Sequence, residues 1–261
     1  MSEAAKVVVE IDHPIATVRL DGPTRHNVLD GGGWRRLGEF FDEISDDEEV
    51  RAVAVRGTGG RAFAAGSDIA AFGEQRSEPG DVRSYSRAIG HALNAVQGCR
   101  HPTVAIVEGL CVGGGLEIAA CCDLRVCGEA SRFGAPINRL GLTMSYDELE
   151  PLVRLLGPGA VLEILLSGEL IDAQRALAVG LVNRVLPEGA VVERGYGLVA
   201  RIAAGAPLVN RWHKKFVRRL LERRPIEAGE REEAHQAFET ADYREGRAAF
   251  LEKREPDFSG E

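Results

Sequence analysis

The chain has 261 residues, 44% hydrophobic and 28% charged, with a formal net charge of −8. That length can bury a substantial core as one large domain, or one domain plus an appendage. The negative charge argues against a general nucleic-acid or anionic-membrane binder, so an anionic ligand needs a local basic site. Five cysteines (Cys99, Cys111, Cys121, Cys122, Cys127) are an odd number without paired histidine spacing, and they read as reduced core thiols. No apolar run approaches membrane-spanning length and the N-terminal stretch has no signal-like apolar core. The expectation is a cytoplasmic chain with no membrane or nucleic-acid partner and no metal.

In chain order, Val7 to Ile11 and Ile15 to Leu20 are β-rich runs separated by Asp12-His13-Pro14, which predicts a hairpin. Asp21-Gly22-Pro23 ends the second run and leads into Arg25-His26-Asn27. Leu37, Phe40, Phe41 and Ile44 recur at helical spacing, but Gly31-Gly32-Gly33 is a poor helix start, so a late or loose N-terminus is expected. Val50 to Val55 alternates as a strand ending at Gly57. Glycines 59, 60 and 66 punctuate the next stretch, where Ser67-Asp68 suits the cap of a following helix. Ser77 to Gly80 reads as a polar loop and Tyr85 to Val96 as an amphipathic helix ending near Gly98. Ser131 to Leu142 reads as a loop with a buried Phe133. Tyr146 to Leu156 is helical and stopped by Gly157-Pro158-Gly159; Ala160 to Leu166 and Asp172 to Val179 are further helices, the last with Gly180 as its C-cap. Leu181 to Leu186 is a short strand. From Val191 the pattern is helical, including a basic helix over Arg211 to Arg224 with Trp212, Phe216 and Leu220 on one stripe, and a last helix over Arg244 to Arg254. The alternation predicts an α/β core of repeated strand-strand-helix units over residues 1–195 and a helical region over 196–261 that packs on a neighbouring subunit.

The stretch with the strongest chemical content runs from His101 to Cys127. An apolar strand, Thr103 to Val107, feeds Gly109, then Gly113-Gly114-Gly115, then a small-residue helix from Leu116 to Cys122 and a second strand from Leu124 to Cys127. Glycine lets the backbone approach a ligand closely, and the first N–H groups of a helix lack internal acceptors and carry partial positive charge. Glu117 stands in that first turn, as a dipole-favoured acid or as a working one. A second glycine-flanked loop, Phe63-Ala64-Ala65-Gly66-Ser67-Asp68-Ile69, offers another free N–H just after Gly66.

This pair of loops resembles the crotonase (enoyl-CoA hydratase/isomerase) superfamily. The resemblance extends to the Arg25-His26-Asn27 turn, Phe133-Gly134-Ala135-Pro136, Ala178-Val179-Gly180-Leu181-Val182, and the closing Arg244-Glu245-Gly246 with Phe250-Leu251-Glu252-Lys253-Arg254. It implies a spiral of ββα units assembled as a homotrimer or a dimer of trimers, and an acyl-CoA thioester as substrate with no separate cofactor. The thioester carbonyl would lie between the N–H groups of Ser67 and Gly114, with Glu117 as acid/base. Two such donors contribute on the order of 3 kcal/mol each to a developing oxyanion. The same resemblance implies Arg25 near the CoA phosphates and Phe250 and Lys253 near its nucleotide. Ala65, Asp68, Ile69, Ile137 and Tyr146 complete the expected substrate contacts.

One departure bears on the reaction. Hydratases of that superfamily carry a second glutamate just after the proline of the F-G-x-P segment, and here that position is Ile137. Water addition needs one group to activate water and one to protonate the α-carbon, and isoleucine does neither. Of the nearby polar residues, Asp147 and Glu148 read as helix N-terminal acids, while Tyr146 stays open as a decarboxylase-like group. Hydratase/isomerase chemistry ranks first, decarboxylation or hydrolysis of a CoA thioester or β-dicarbonyl second, and non-catalytic acyl-CoA binding third.

Overall fold

The structure, a computed structural model, describes residues 5–69 and 79–261. The expected hairpin is formed by β1 (Lys6–Asp12) and β2 (Ile15–Asp21), paired antiparallel with Val9 opposite Val18. Helix α1 (Gly31–Asp46) starts at the glycines rather than after them. The reason is the Asp30 carboxylate, which accepts from the Gly33 N–H at 2.8 Å and offsets the low helix propensity of the first turn. Leu37, Phe41 and Ile44 then bury one stripe of α1 as their spacing predicts.

Three strand-strand-helix turns follow: β3 (Ala52–Gly57), β4 (Ala62–Ala64) and α2 (Pro79–Gly98); β5 (Thr103–Val107), β6 (Leu110–Val112) and α3 (Gly114–Cys121); β7 (Leu124–Gly128), β8 (Arg132–Gly134) and α4 (Tyr146–Ser167). The first strand of each turn joins a six-stranded sheet of order β1-β2-β3-β5-β7-β10, where β10 is Arg184–Leu186. The second joins a four-stranded sheet of order β4-β6-β8-β9, where β9 is Ile171–Asp172. Apart from the β1–β2 and β8–β9 pairs, all ladders are parallel. This is the spiral of ββα units expected from the sequence.

Strand alternation divides the large sheet's two faces. Val53, Val55, Ala105, Val107 and Cys127 point into the spiral, where they meet α1, α2 and α3. Ala52, Ala54, Val104, Ile106 and Val126 point outward onto α6 (Val191–Ala203) through Val191, Leu198, Val199 and Ala203. Gly195 permits that approach, since a β-carbon there would lie 2.8 Å from Ile106 Cδ1. The division expected between residues 195 and 196 falls inside α6.

Several boundaries differ from the sequence reading. α2 includes Pro79 and Gly80, which the sequence reading placed in a loop; Ser77 and the helix expected after Ser67-Asp68 lie outside the described residues. The Ser131 to Leu142 stretch contains β8 and a 3-10 turn over Pro136–Leu140, with Phe133 fully buried. α4 is broken where the stop was expected, at Gly157 with φ 73° and ψ 165°. The strand expected from Leu181 begins only at Arg184, because the Leu181 and Val182 amides are used to close α5 (Ala173–Ala178) by donating to Ala176 O.

The C-terminal elements are α7 (Pro207–Leu221), α8 (Ala228–Glu233) and α9 (Ala241–Glu252). α7 is fastened through Asp123, which pairs with Lys214 at 2.6 Å and with Arg218 at 3.0 Å. On its stripe Trp212 and Phe216 are half-buried and Leu220 is exposed. No helix among the described residues is long and apolar enough to cross a membrane.

Asn27 ties the first turn of the chain to the spiral. It is fully buried, its Oδ1 accepts from Gly22 N at 3.0 Å, and its Nδ2 donates to Thr58 O, Ala62 O and Phe63 O at 3.1, 2.7 and 3.3 Å. Asn27→Ala strips those carbonyls of their donor and is expected to cost about 2–4 kcal/mol. A thermal melt checks this, at roughly 2–4 °C lost per kcal/mol, and an unchanged midpoint refutes it. His101 is buried, and burial together with the nearby Arg211 and Arg100 pulls its pKa down from the usual 6.5 to about 4. The unfolded chain therefore binds a proton that the native chain refuses. Stability should fall by about 3 kcal/mol as pH drops from 6.5 to 4, and a His101→Gln variant should lose that portion of the slope in urea titrations.

Candidate active site

Two backbone loops meet at one end of a cavity. The first follows β4 and is pinned to the segment before α1: Leu29 N donates to Gly66 O at 2.9 Å and Asp68 N donates to Leu29 O at 2.8 Å. In such an extended stretch the intervening amide points the other way. Accordingly, Ser67 N–H has no acceptor among the described residues. Gly66 has φ +88°, and a β-carbon on it would stand 3.1 Å from Gly114 N, so the loops touch at that residue.

The second loop joins β6 to α3. Gly113 N donates to Gly134 O at 2.9 Å, while Gly114 N, the first amide of α3, has no acceptor among the described residues. α3 is pressed so close to its neighbours that a β-carbon on Gly115 would lie 2.2 Å from Ala64 O. On Gly114 it would lie 2.5 Å from Trp34 Cζ2. Trp34 is fully buried on α1, and its Nε1 donates to Ser67 Oγ at 3.1 Å, so one indole braces both loops. At the far end of α3 the buried Arg125 donates to Ala119 O at 3.2 Å and also to Cys122 O, placing a cation at the negative helix end.

The cavity has a volume of about 200 Å³. Ala65, Gly66, Ser67, Gly113 and Gly114 form its donor end, and Glu117, 4% exposed, stands one turn into α3. Val112, Ile69, Pro136, Ile137, Leu140, Leu142 and Met144 form apolar walls, with Thr143 and Glu148 the further polar lining. Two unsatisfied N–H groups beside a buried carboxylate in a mostly apolar chamber favour negative charge on one ligand oxygen and a proton shift next to it.

Of the residues singled out from sequence, Ala65, Ser67, Ile69, Gly114, Glu117 and Ile137 all line this chamber. Arg25 and Asp68 do not line it but pair through two contacts, Nη1 to Oδ2 at 2.6 Å and Nη2 to Oδ1, just behind the Ser67 loop. The Asp68 hydrogen bond pushes the Arg25 pKa up further. Three residues stand elsewhere. Tyr146 is 90% exposed, because at the first position of α4 its side chain points to solvent. Phe250 is 83% exposed, and Lys253 caps the end of α9 with φ 56°.

The sequence reading missed Trp34, Thr143 and Glu148 as parts of this site. Ser145-x-x-Glu148 carries the signature of a capping box, and that box is present: Ser145 N donates to Glu148 Oε2 at 2.6 Å and Glu148 N to Ser145 Oγ at 3.4 Å. The sequence reading took Glu148 as a helix N-terminal acid, and nothing in the pattern shows that the same carboxylate faces the cavity. All five cysteines are free and buried, and burial pushes Cys122 and Cys127 up to about 12, which makes them poor nucleophiles. Among the described residues no group of three or more His, Cys, Asp and Glu side chains could hold a metal ion.

The chain is similar to known proteins over almost its whole length. The enoyl-CoA hydratase/isomerase family model matches residues 10–261. A short-chain-enoyl-CoA hydratase of Clostridium acetobutylicum is 30% identical over 97% of this chain and 97% of its own length. A carnitinyl-CoA dehydratase of Citrobacter koseri is 32% identical over 95% of each. The crystal structure of an enoyl-CoA hydratase/carnithine racemase from Magnetospirillum magneticum superposes with a TM-score of 0.95 at 42% identity, covering 99% of this chain and 97% of that one.

The contact between Trp34 and the glycine turn is directly testable. Gly114→Ala forces the indole or the first turn of α3 to move and is expected to cost about 1–3 kcal/mol in urea unfolding. Adding Trp34→Leu should return part of that loss; strictly additive costs would show that the two residues do not press on one another.

Proposed function

The chain belongs to the enoyl-CoA hydratase/isomerase family, and we propose that it is an acyl-CoA enzyme working through a thioester enolate. The amides of Ser67 and Gly114 hold the enolate oxygen, and Glu117 carries the proton to or from the carbon skeleton. The observation that supports this best is the meeting of two acceptor-free amides and a buried carboxylate at one end of one cavity. When a proton leaves the thioester's carbon chain, or a nucleophile adds to the double bond, charge builds on the carbonyl oxygen. Fixed amides stabilise that charge without reorganising, at about 3 kcal/mol per donor.

In the same reading the acyl chain follows the apolar walls from Ile69 and Ile137 toward Leu142. The Arg25–Asp68 pair keeps a guanidinium beside the donor loop for a CoA phosphate, which answers the need of a chain with net charge −8 for a local cation. Trimeric assembly belongs to the proposal as well. Val217, Leu220 and Leu221 on α7 and Phe250 and Leu251 on α9 are exposed, and Phe250 and Lys253 would reach a CoA nucleotide from that surface.

Glu117→Gln keeps the shape of the carboxylate and removes its basicity. It should lower kcat on the preferred thioester by about 10²–10⁴ while the melting temperature holds. The substrate is found by screening crotonyl-CoA, branched enoyl-CoAs and malonyl-type CoAs. Carbon dioxide release from methylmalonyl-CoA would move the chain to decarboxylation, and binding without turnover across the panel would make it a carrier of acyl-CoA.

A further inference from the structure

We propose that Glu148 is the second carboxylate of this site and activates water there, so that the chain hydrates enoyl thioesters. The inference rests on the reading of Ser67, Gly114 and Glu117 given above and adds a partner to it. Glu148 and Glu117 are the ionisable side chains on the described lining of the cavity. Ile137, on the same wall, has no group that exchanges a proton.

The surroundings of Glu148 suit a base. Its Oε2 accepts from Ser145 N at 2.6 Å, which fixes the side chain in the first turn of α4. Its Oε1 accepts no hydrogen bond among the described residues, and no cation pairs with it there. One oxygen is thus anchored while the other keeps its lone pairs. A water in so apolar a chamber needs two or more polar partners, and Glu148 is one of the few groups there that can supply one. Capping alone would not require the carboxylate to border a cavity, and glutamine caps a helix equally well in this motif.

The step balances as follows. The water oxygen bonds to the β-carbon as its proton passes to Glu148 Oε1. The double-bond electron pair shifts toward the carbonyl, leaving an enolate whose oxygen is held by the Ser67 and Gly114 amides. Protonated Glu117 then donates to the α-carbon, completing a 3-hydroxyacyl thioester. Glu148 is left protonated and Glu117 ionised, and one proton moving from the first to the second through solvent water restores both.

Glu148→Gln separates the base from the cap. Two reactions are followed on the full chain: hydration of crotonyl-CoA, and exchange of the α-protons of butyryl-CoA with deuterated water. The exchange uses Glu117 and the two amides but adds no water to carbon. Glu148→Gln should lower hydration kcat by about 10²–10⁴ and remove the acidic limb of its pH profile. KM, α-proton exchange and the melting temperature should stay within about threefold or unchanged. Hydration at the parent rate overturns the proposal, as does parallel loss of hydration, exchange and thermal stability, which would mark Glu148 as a cap alone. A parent chain that exchanges α-protons but does not hydrate overturns the role of Glu148 and leaves the enolate reading standing. A parent chain that does neither overturns both.

Discussion

Four hydrogen bonds to one buried amide, that of Asn27, tie the end of the first hairpin to β4 and the loop before it. Its carbonyl holds Gly22 at the end of β2, and its NH₂ group holds the carbonyls of Thr58, Ala62 and Phe63 around β4. His26 O adds the Ala65 amide at 2.9 Å. The bonds to Ala62 O and Phe63 O are buried, so those two carbonyls have no cheaper alternative partner. The loop that carries Ser67 is therefore not a free connection between β4 and α2. It leaves a strand fixed at one end by Asn27 and runs along Leu29, so the direction of the Ser67 amide is decided some forty residues earlier in the chain.

The other half of the site depends on the absence of side chains. α3 is a short, entirely buried helix, and its first turn lies against the Trp34 ring at Gly114 and against the Ala64 backbone at Gly115. A helix packed this closely has little room to shift, so the Gly114 amide at its start keeps its direction. Arg125 contributes at the opposite end by donating to the carbonyls of Ala119 and Cys122.

The architecture was readable because it rests on local patterns. Val53, Val55, Ala105 and Val107 alternate, Leu37, Phe41 and Ile44 recur at helical spacing, and Gly157 and Gly180 punctuate. The donor loops were readable for the same reason, since Gly66-Ser67 and Gly113-Gly114 mark backbone freedom next to unsatisfied amides. The misread places depend on partners distant in sequence or on a single side chain. α1 starts at three glycines because Asp30 accepts from Gly33, and β10 starts late because α5 takes the Leu181 and Val182 amides. Tyr146 and Glu148 are two residues apart on α4, and only the turn of that helix decides which faces solvent and which faces the cavity. No periodicity in so short a stretch distinguishes them.

The indole of Trp34 has a use apart from holding the loops. The chain has two tryptophans, and the other, Trp212, lies on α7, away from the cavity lining. Trp34 is shielded from water, hydrogen-bonded to the Ser67 hydroxyl and in contact with Gly114. Its emission therefore registers the polarity and spacing of the two donor loops, and replacing Trp212 by phenylalanine would leave an intrinsic optical gauge of whether the cavity is filled.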